Sequence, residues 1–459
     1  MNSMFRPFGS LTSQPWFSPP QWKRRLVLWA GAVAVGLATT VFIKGCIWAY
    51  DTFSRVFAYG SWWPLVITPC VMAALAYLTA GKLRATRGSG IPQAIASLHI
   101  EDEKFRFDML SLRVAAGKMA LTFAALLGGA SVGREGPTVH VGASLMYSIG
   151  RRFGFSEPTA AGRFVLAGSA AGLAAAFNAP LAGVVFAIEE MAGAYEDRMS
   201  GAIMTSVIIG GIITLGLLGN YSYFGTVQAQ LTIKQGWAAV LLCGVLCGMA
   251  GGLFSRIILL GGSILSRIAA LRARWPILFA FGCGLALALL GIASGNNVYG
   301  TGYDQARAIL QHGAHPPSEA FGALKFFANV VSYWSGIPGG LFSPALAVGA
   351  GFGRDLAHLV PGAPVATVAL LGMAGYLTGV TQSPLTATVI TMEMTANQAM
   401  VIPILAVCLI ARAASALFCK KPVYHAFSEQ LVAEYEAKRK AAKAEASNED
   451  PPAAITQHA

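Results

Sequence analysis

The sequence predicts an all-α polytopic membrane protein made of two related halves whose helices are tilted and broken. Three observations carry that prediction: scarce charge, repeated apolar runs of bilayer length, and an internal duplication marked by glycine and proline. Of the 459 residues, 55% are hydrophobic and only 12% charged, and the mean hydropathy is +0.57. A soluble chain of this length needs more surface charge than that.

Charge-free stretches recur at 26–43, 60–81, 164–188, 199–233, 237–255, 276–303, 326–353, 359–392 and 394–411. Each matches or approaches the roughly 20 apolar residues of a spanning helix. Several are too long for one crossing and are expected to hold two helices with a break. The net charge of +12 comes from 33 Lys+Arg against 21 Asp+Glu, but its placement argues against a nucleic-acid partner. Lys23, Arg24 and Arg25 precede the first span, and Lys438, Arg439, Lys440 and Lys443 follow the last. Basic flanks of this kind place both termini in the cytoplasm and make the number of crossings even. The first apolar run lacks a cleavage-site pattern and leads straight into others, so it is not read as a removable signal. These observations divide the chain into a polar lead at 1–25, an embedded region at 26–418 and a cytoplasmic tail at 419–459. The tail contains a charged, Ala-rich helix over 428–447 and a disordered Pro-Pro end. The seven cysteines lie in or beside apolar stretches and read as small buried hydrophobes. No His, Cys and carboxylate cluster has metal spacing, so neither a metal nor a cofactor is expected.

The duplication is visible residue by residue. At an offset of 204, Leu166, Gly168, Ala170, Leu173, Pro180, Leu181, Val185 and Glu189 fall on Leu370, Gly372, Ala374, Leu377, Pro384, Leu385, Val389 and Glu393. At an offset of 207, Gly133, Pro137, Val141, Gly142 and Ala143 fall on Gly340, Pro344, Val348, Gly349 and Ala350. Chance likeness of Gly- and Ala-rich helices explains the glycines but not the matched prolines and glutamates. The repeats cover about 60–219 and 235–418. The matches do not fix their relative orientation; inverted repeats are the expectation for transporters of this construction, whose sites lie where broken helices of the two halves meet.

A helix that begins inside the membrane aims unpaired N–H groups and its positive dipole end at whatever lies there, which suits an anion. Three segments have the required form: GSGIP with Ser89, GREGP with Glu135, and GGLFSP with Phe342. Pro at the first helical positions, with Gly before it, marks such starts. Glu135 and Phe342 are paired by the offset of 207. A carboxylate inside a membrane is costly and by default functional. At a helix N-terminus, ionised Glu135 can occupy the place a transported anion needs, and protonation releases it. The bland alternatives are an ion pair with Arg134, which as an adjacent residue normally points elsewhere, or a plain helix cap.

Glu189 and Glu190 close a long apolar helix, with Glu196, Asp197 and Arg198 soon after. Glu393 repeats Glu189, so that position reads as structural, whereas Glu190 is replaced by Met394 and is the better proton relay. Lys118 sits in an apolar run, and pairing with a carboxylate, positive potential near the anion path and a snorkelling lysine stay open. Whether Tyr424 returns to the site is equally open. His140 reads as a packing residue.

At these segments the chain resembles the CLC family of chloride channels and chloride/proton antiporters. GSGIP at 88–92, GREGP at 133–137, GIPGGLFSP at 336–344 and the tyrosine of KPVY at 421–424 occur in the family's order, and EEM at 189–191 and PLTATVITMEMT at 384–395 also match. The resemblance covers about 60–427. It implies an inverted-repeat fold and a homodimer with a pore in each subunit. It implies that chloride is bound by the Ser89 and Tyr424 hydroxyls and the N–H groups of Leu341 and Phe342. It makes Glu135 the external gate and proton acceptor and Glu190 the internal proton-transfer carboxylate. Family channels usually lack that internal acid, so Glu190 points to antiport in a plasma membrane, with a passive chloride channel as the alternative. Two departures stand out. Gln93 replaces a glutamate common after GSGIP, and the 419–459 tail lacks the nucleotide-binding regulatory domains of many relatives, as expected of a bacterial protein. The polar segment 296–317 has no assigned role. An intramembrane serine protease built on Ser89 lacks a matching histidine, so no enzymatic activity is expected.

Overall fold

The structure, a computed structural model, describes residues 19–449 apart from 82, 193–196, 220–221, 232, 260–265, 312 and 314–315. The expected polar lead up to residue 18, the Pro-Pro end of the tail and Glu196 therefore lie outside the described residues. Among the described residues the chain is helical with no named strand. The first half contains α1 (Pro19–Tyr59), α2 (Pro64–Ala80), α3 (Ile91–His99), α4 (Glu103–Leu110), α5 (Leu112–Leu127), α6 (Glu135–Arg152), α7 (Pro158–Phe177), α8 (Pro180–Phe186) and α9 (Asp197–Leu218). The second contains α10 (Ile233–Leu242), α11 (Gly248–Leu259), α12 (Ser266–Arg274), α13 (Pro276–Ala293), α14 (Tyr303–Leu310), α15 (Phe321–Trp334), α16 (Phe342–Ala357), α17 (Val365–Thr381), α18 (Pro384–Thr395) and α19 (Val401–Ser415), followed by α20 (Val423–Glu449). Six described helices or helical stretches are long and apolar enough to cross a membrane. The rest of the embedded chain is built from helices that are shorter or less apolar.

The breaks follow from local chemistry. Asn178 ends α7 in the left-handed conformation (φ 52°), and Pro180 starts α8 two residues on. Gln382 (φ 59°) and Pro384 do the same between α17 and α18, at the offset of 204. A left-handed residue stops one helix, and Pro supplies a preset φ for the next. The long runs at 164–188, 326–353 and 359–392 thus each hold a helix break. The run at 199–233 does not hold two helices. After α9 the chain turns at Gly219 (φ 88°), and residues 222–231 have no regular structure. Their backbone is satisfied from the second half: Phe224 N–H donates to Met394 O (2.8 Å), Val227 N–H to Thr395 O (3.1 Å), and Asn397 donates to Val227 O and Ala229 O. Backbone groups that leave regular structure and become buried need partners of this kind.

The ends also differ from expectation. Helix α1 starts at Pro19, so 19–25 are its first turns rather than a polar lead; its 41 residues extend about 60 Å, twice a hydrocarbon core. The tail helix starts five residues before 428, at Val423, and its first two residues, Val423 and Tyr424, are buried.

The halves pack as two inverted-topology repeats. Gly142 faces Gly168 between α6 and α7, and Gly349 faces Gly372 between α16 and α17. A Cβ on Gly172 would come within 2.7 Å of Thr138 O, and one on Gly353 within 2.6 Å of Val368 O, so only glycine permits these backbone approaches. The repeats are joined by two symmetric exchanges. Gly133 N–H donates to Gly340 O (2.8 Å) and Gly340 N–H donates to Gly133 O (2.7 Å). Farther out, Glu189 accepts from the N–H groups of Leu385 (3.1 Å) and Thr386 (2.6 Å) at the start of α18, and Glu393 accepts from those of Leu181 (3.1 Å) and Ala182 (2.7 Å) at the start of α8. Each carboxylate caps a helix of the opposite repeat, neutralising its positive end.

Replacing Glu393 by Ala removes two charge-assisted caps. Thermal unfolding in detergent should show a loss of about 1–2 kcal/mol, matched by Glu189→Ala at the symmetric position. Equal stability of Glu393→Ala and the parent would show that the reciprocal caps do not hold the halves together.

Candidate functional site

Helices α6 and α16 begin on either side of the Gly133–Gly340 bridge, so their N-termini converge from the two repeats. Glu135 is the first residue of α6 and is fully buried. Its carboxylate reaches across to α16: Oε1 accepts from Ser343 Oγ (2.6 Å) and Tyr223 OH (3.3 Å), and Oε2 accepts from Ser343 N–H (3.4 Å). The carboxylate therefore lies on the positive end of the other repeat's helix, not on its own. Arg134 does not point elsewhere. Its Nε lies 3.8 Å from Glu135 Oε1, and its guanidinium sits 5.7 Å from the Tyr223 ring centre. An ion pair and the helix-end contact thus coexist.

Phe342 opens α16, with Leu341 as its N-cap. The Phe342 ring stacks on Tyr424 at 5.8 Å and meets Phe177 and Phe186 edge-on. The first N–H groups of α16 have no intrahelical acceptor by construction; that of Ser343 goes to Glu135. Ser89 stands between Gly88 (φ 64°) and Gly90 (φ 98°), ahead of α3. Its hydroxyl packs against Gly136, where a Cβ would also meet Gly340 Cα at 3.2 Å. Tyr424, in the first turn of α20, is wholly buried, and Ser89, Glu190 and Glu135 lie within electrostatic reach of its hydroxyl. The Ser89 and Tyr424 hydroxyls lie close to each other, and neither has a partner of good hydrogen-bond geometry among the described residues. Two buried hydroxyls so arranged suit an acceptor brought from outside the chain.

Lys118 is fully buried and neither pairs with a carboxylate nor snorkels. Its ammonium donates to Thr86 O and Gly88 O, both at 2.7 Å. Gln93 donates to the alternate carbonyls, Ala85 O (3.3 Å) and Arg87 O (2.7 Å). Four successive carbonyls leading to Ser89 are thus gripped from two sides, and the amide at 93 does this without a charge. Glu190 lies buried in the π-helical turn Ala187–Ala192 that continues α8, and Ser383 Oγ donates to its Oε2. His140 packs on Gly90 and donates from Nε2 to Met109 O (2.9 Å).

Ser343 and Tyr223 escaped the sequence reading. Ser343 stands inside GGLFSP and aligns with Gly136 at the offset of 207, a signal that the Glu135 partner differs between the repeats. Tyr223 is delivered by the irregular segment after α9, which sequence periodicity does not mark.

The tail helix that supplies Tyr424 is anchored outside the apolar region. Tyr435 donates its hydroxyl to Asp102, the N-cap of α4, and packs on Phe105, while Arg84 pairs with Glu434 (3.0 Å). The Tyr435 hydroxyl, together with the N–H groups of Phe105 and Lys104, holds the Asp102 carboxyl below its ordinary value. A depressed acid contributes stability that is present above its unfolded value and lost as pH falls through the folded one. Tyr435→Phe should therefore raise amide exchange along α20 at neutral pH and remove its extra loosening in acid. Unchanged exchange in this variant would show that the anchor does not hold the helix.

A family model described as "Voltage gated chloride channel" matches residues 71–416. The H(+)/Cl(-) exchange transporter ClcA of Yersinia pestis bv. Antiqua (strain Angola) is 30% identical over 433 residues, covering 89% of this chain and 87% of that protein. The protein of the same name from Klebsiella pneumoniae (strain 342) is 30% identical over 413 residues, covering 84% and 83%. Among solved structures, a slow cyanobacterial Cl-/H+ antiporter superposes with a TM-score of 0.75 at 24% identity, covering 89% of this chain and 98% of that one. A CLC-type fluoride/proton antiporter also gives 0.75, at 23% identity, covering 90% and 99%.

Proposed function

The chain belongs to the voltage-gated chloride channel family, and from that premise we propose that it exchanges chloride for protons across a membrane, with Glu135 as the gate. The observation that carries the reading is the Glu135 carboxylate on Ser343 N–H and Oγ at the start of α16. That is where a small anion gains most from a helix dipole and unpaired N–H groups. Ionised Glu135 and chloride compete for one place. A proton on Glu135 removes the charge that holds it there, so the side chain leaves and chloride enters. The Ser89 and Tyr424 hydroxyls and the first N–H groups of α16, at Leu341 and Phe342, receive the ion on its inner side, beside the Phe342 ring. Arg134 and Lys118 keep the path electropositive, and no cofactor or metal takes part.

Glu190 takes the proton to the inner side. It is buried near Tyr424, yet it lies on the π-helical turn that continues α8 rather than on the anion's line of helix ends. This separation lets the two ions share the gate and diverge below it. Support for exchange also comes from the two similar ClcA proteins, named for H(+)/Cl(-) exchange.

The protein acts in the plasma membrane of a bacterial cell with both ends in the cytoplasm. It pairs as a homodimer through α8, α9, α18 and α19, which expose Leu181, Ile208, Ile212, Leu385, Ile402 and Leu409. Cross-linking in mild detergent should give a dimer; a protein that remains monomeric at all concentrations contradicts the pairing.

In liposomes with a chloride gradient and the voltage set by an ionophore, protons should move against their own gradient. Glu135→Ala should abolish that movement while chloride flux persists. Glu190→Gln should lower proton flux roughly a hundredfold or more, the scale on which a positioned proton-transfer group acts. Chloride flux without proton movement in the parent protein would make it a passive channel and leave Glu190 without a transport role.

A further inference from the structure

Lys118 has a counterpart. At the offset of 207 it falls on Lys325, in the helix α15 that repeats α5. Lys325 is also fully buried, and none of the ion pairs among the described residues includes either lysine. Its Nζ donates to Val298 O (2.8 Å), Gly300 O (2.8 Å) and Ser131 Oγ (2.9 Å). The Ser131 hydroxyl in turn donates to Asn329 Oδ1 (2.8 Å), and Nζ thus reaches three oxygens, the number of hydrogens an ammonium carries.

The loops that the two lysines grip also correspond. Gly88, Ser89 and Gly90 precede α3, and Gly300, Thr301 and Gly302 precede α14. All four glycines are left-handed, at φ 64° and 98° in the first loop and 63° and 78° in the second. Each loop braces the opposite repeat. Gly88 O accepts from Gly339 N–H (3.1 Å), on the approach to the Phe342 helix; Gly300 N–H donates to Ala130 O (3.2 Å), on the approach to the Glu135 helix. Lys325 adds a direct bond to Ser131, four residues before Glu135, and the Ser131 N–H donates to Ser332 Oγ (3.1 Å).

We propose that Lys325 is a positioning residue of the gate: its ammonium clamps the Val298–Gly300 loop and Ser131 together and so fixes where the Glu135 helix begins, as Lys118 fixes the Ser89 loop. This rests on the exchange reading above, and it gives the polar segment 296–317 a role. A clamp on the gate acts on the coupling between the two ions, not only on the amount of folded protein.

The test compares Lys325→Met, Lys325→Arg and Ser131→Ala with the parent in liposomes, reading chloride turnover, the proton-to-chloride ratio and the melting temperature. Lys325→Met should lower chloride turnover roughly tenfold, the scale of lost charged hydrogen bonds, and shift the ratio. Lys325→Arg should recover part of both, and Ser131→Ala should shift the ratio in the same direction by less. Parental turnover and ratio in folded Lys325→Met would overturn the proposal. So would a lower melting temperature with an unchanged ratio, the mark of a purely structural lysine. If Lys325→Met does not fold, Ser131→Ala decides alone: a shifted ratio supports the clamp and a parental one overturns it. The ratio of the parent tests exchange by itself. If the parent proves a channel, chloride turnover and chloride affinity of the same variants still test the clamp.

Discussion

Two helix N-termini meeting inside an apolar medium are the constraint on which the rest of this structure depends. Such ends leave N–H groups unpaired, and lipid offers nothing to receive them. The reciprocal bonds between Gly133 and Gly340 satisfy the backbone at the meeting point without filling it. What remains is a focus of unpaired N–H groups bounded by Ser343, Phe342, Ser89 and Tyr424, where the carboxylate of Glu135 sits in this structure. The same focus that makes the carboxylate tolerable there makes the place attractive to any other small anion.

Holding two half-helices at this separation takes more than their own contact, and the duplicated sequence supplies the remainder in symmetric pairs. Glu189 and Glu393 exchange caps between repeats, and Lys118 and Lys325 each grip a Gly-X-Gly loop that leans on the other half. Glycine pairs let α6 approach α7, and α16 approach α17, at backbone distance. The symmetry is broken where chemistry differs: Glu135 against Phe342, Gly136 against Ser343, and Glu190 against Met394. Identical positions build the frame, and the unlike ones are those proposed to act on the ions.

Much of this was legible in the residues. Matched prolines and glycines located the repeats and the helix starts, because those residue types fix backbone geometry locally. Glu189 and Glu393 were readable as structural from their repetition alone. Three features were hidden for a common physical reason. Tyr223 arrives on a segment without periodicity, the anchor of α20 depends on contacts between Tyr435 and Asp102 more than 300 residues away in sequence, and Lys325 borders an apolar run where one charge does not interrupt the pattern. Long-range partners leave no local signature. The internal offset was the signal that would have found Lys325, because it maps onto a lysine already singled out.

The most direct test of the central claim is anomalous diffraction from Glu135→Ala crystals grown in bromide. The account predicts a bromide peak at the N-terminus of α16, beside Ser343 N–H and Oγ, where the parent places its carboxylate. Bromide found only elsewhere, with that helix end unoccupied, would contradict the claim that the gate and the transported anion share one place.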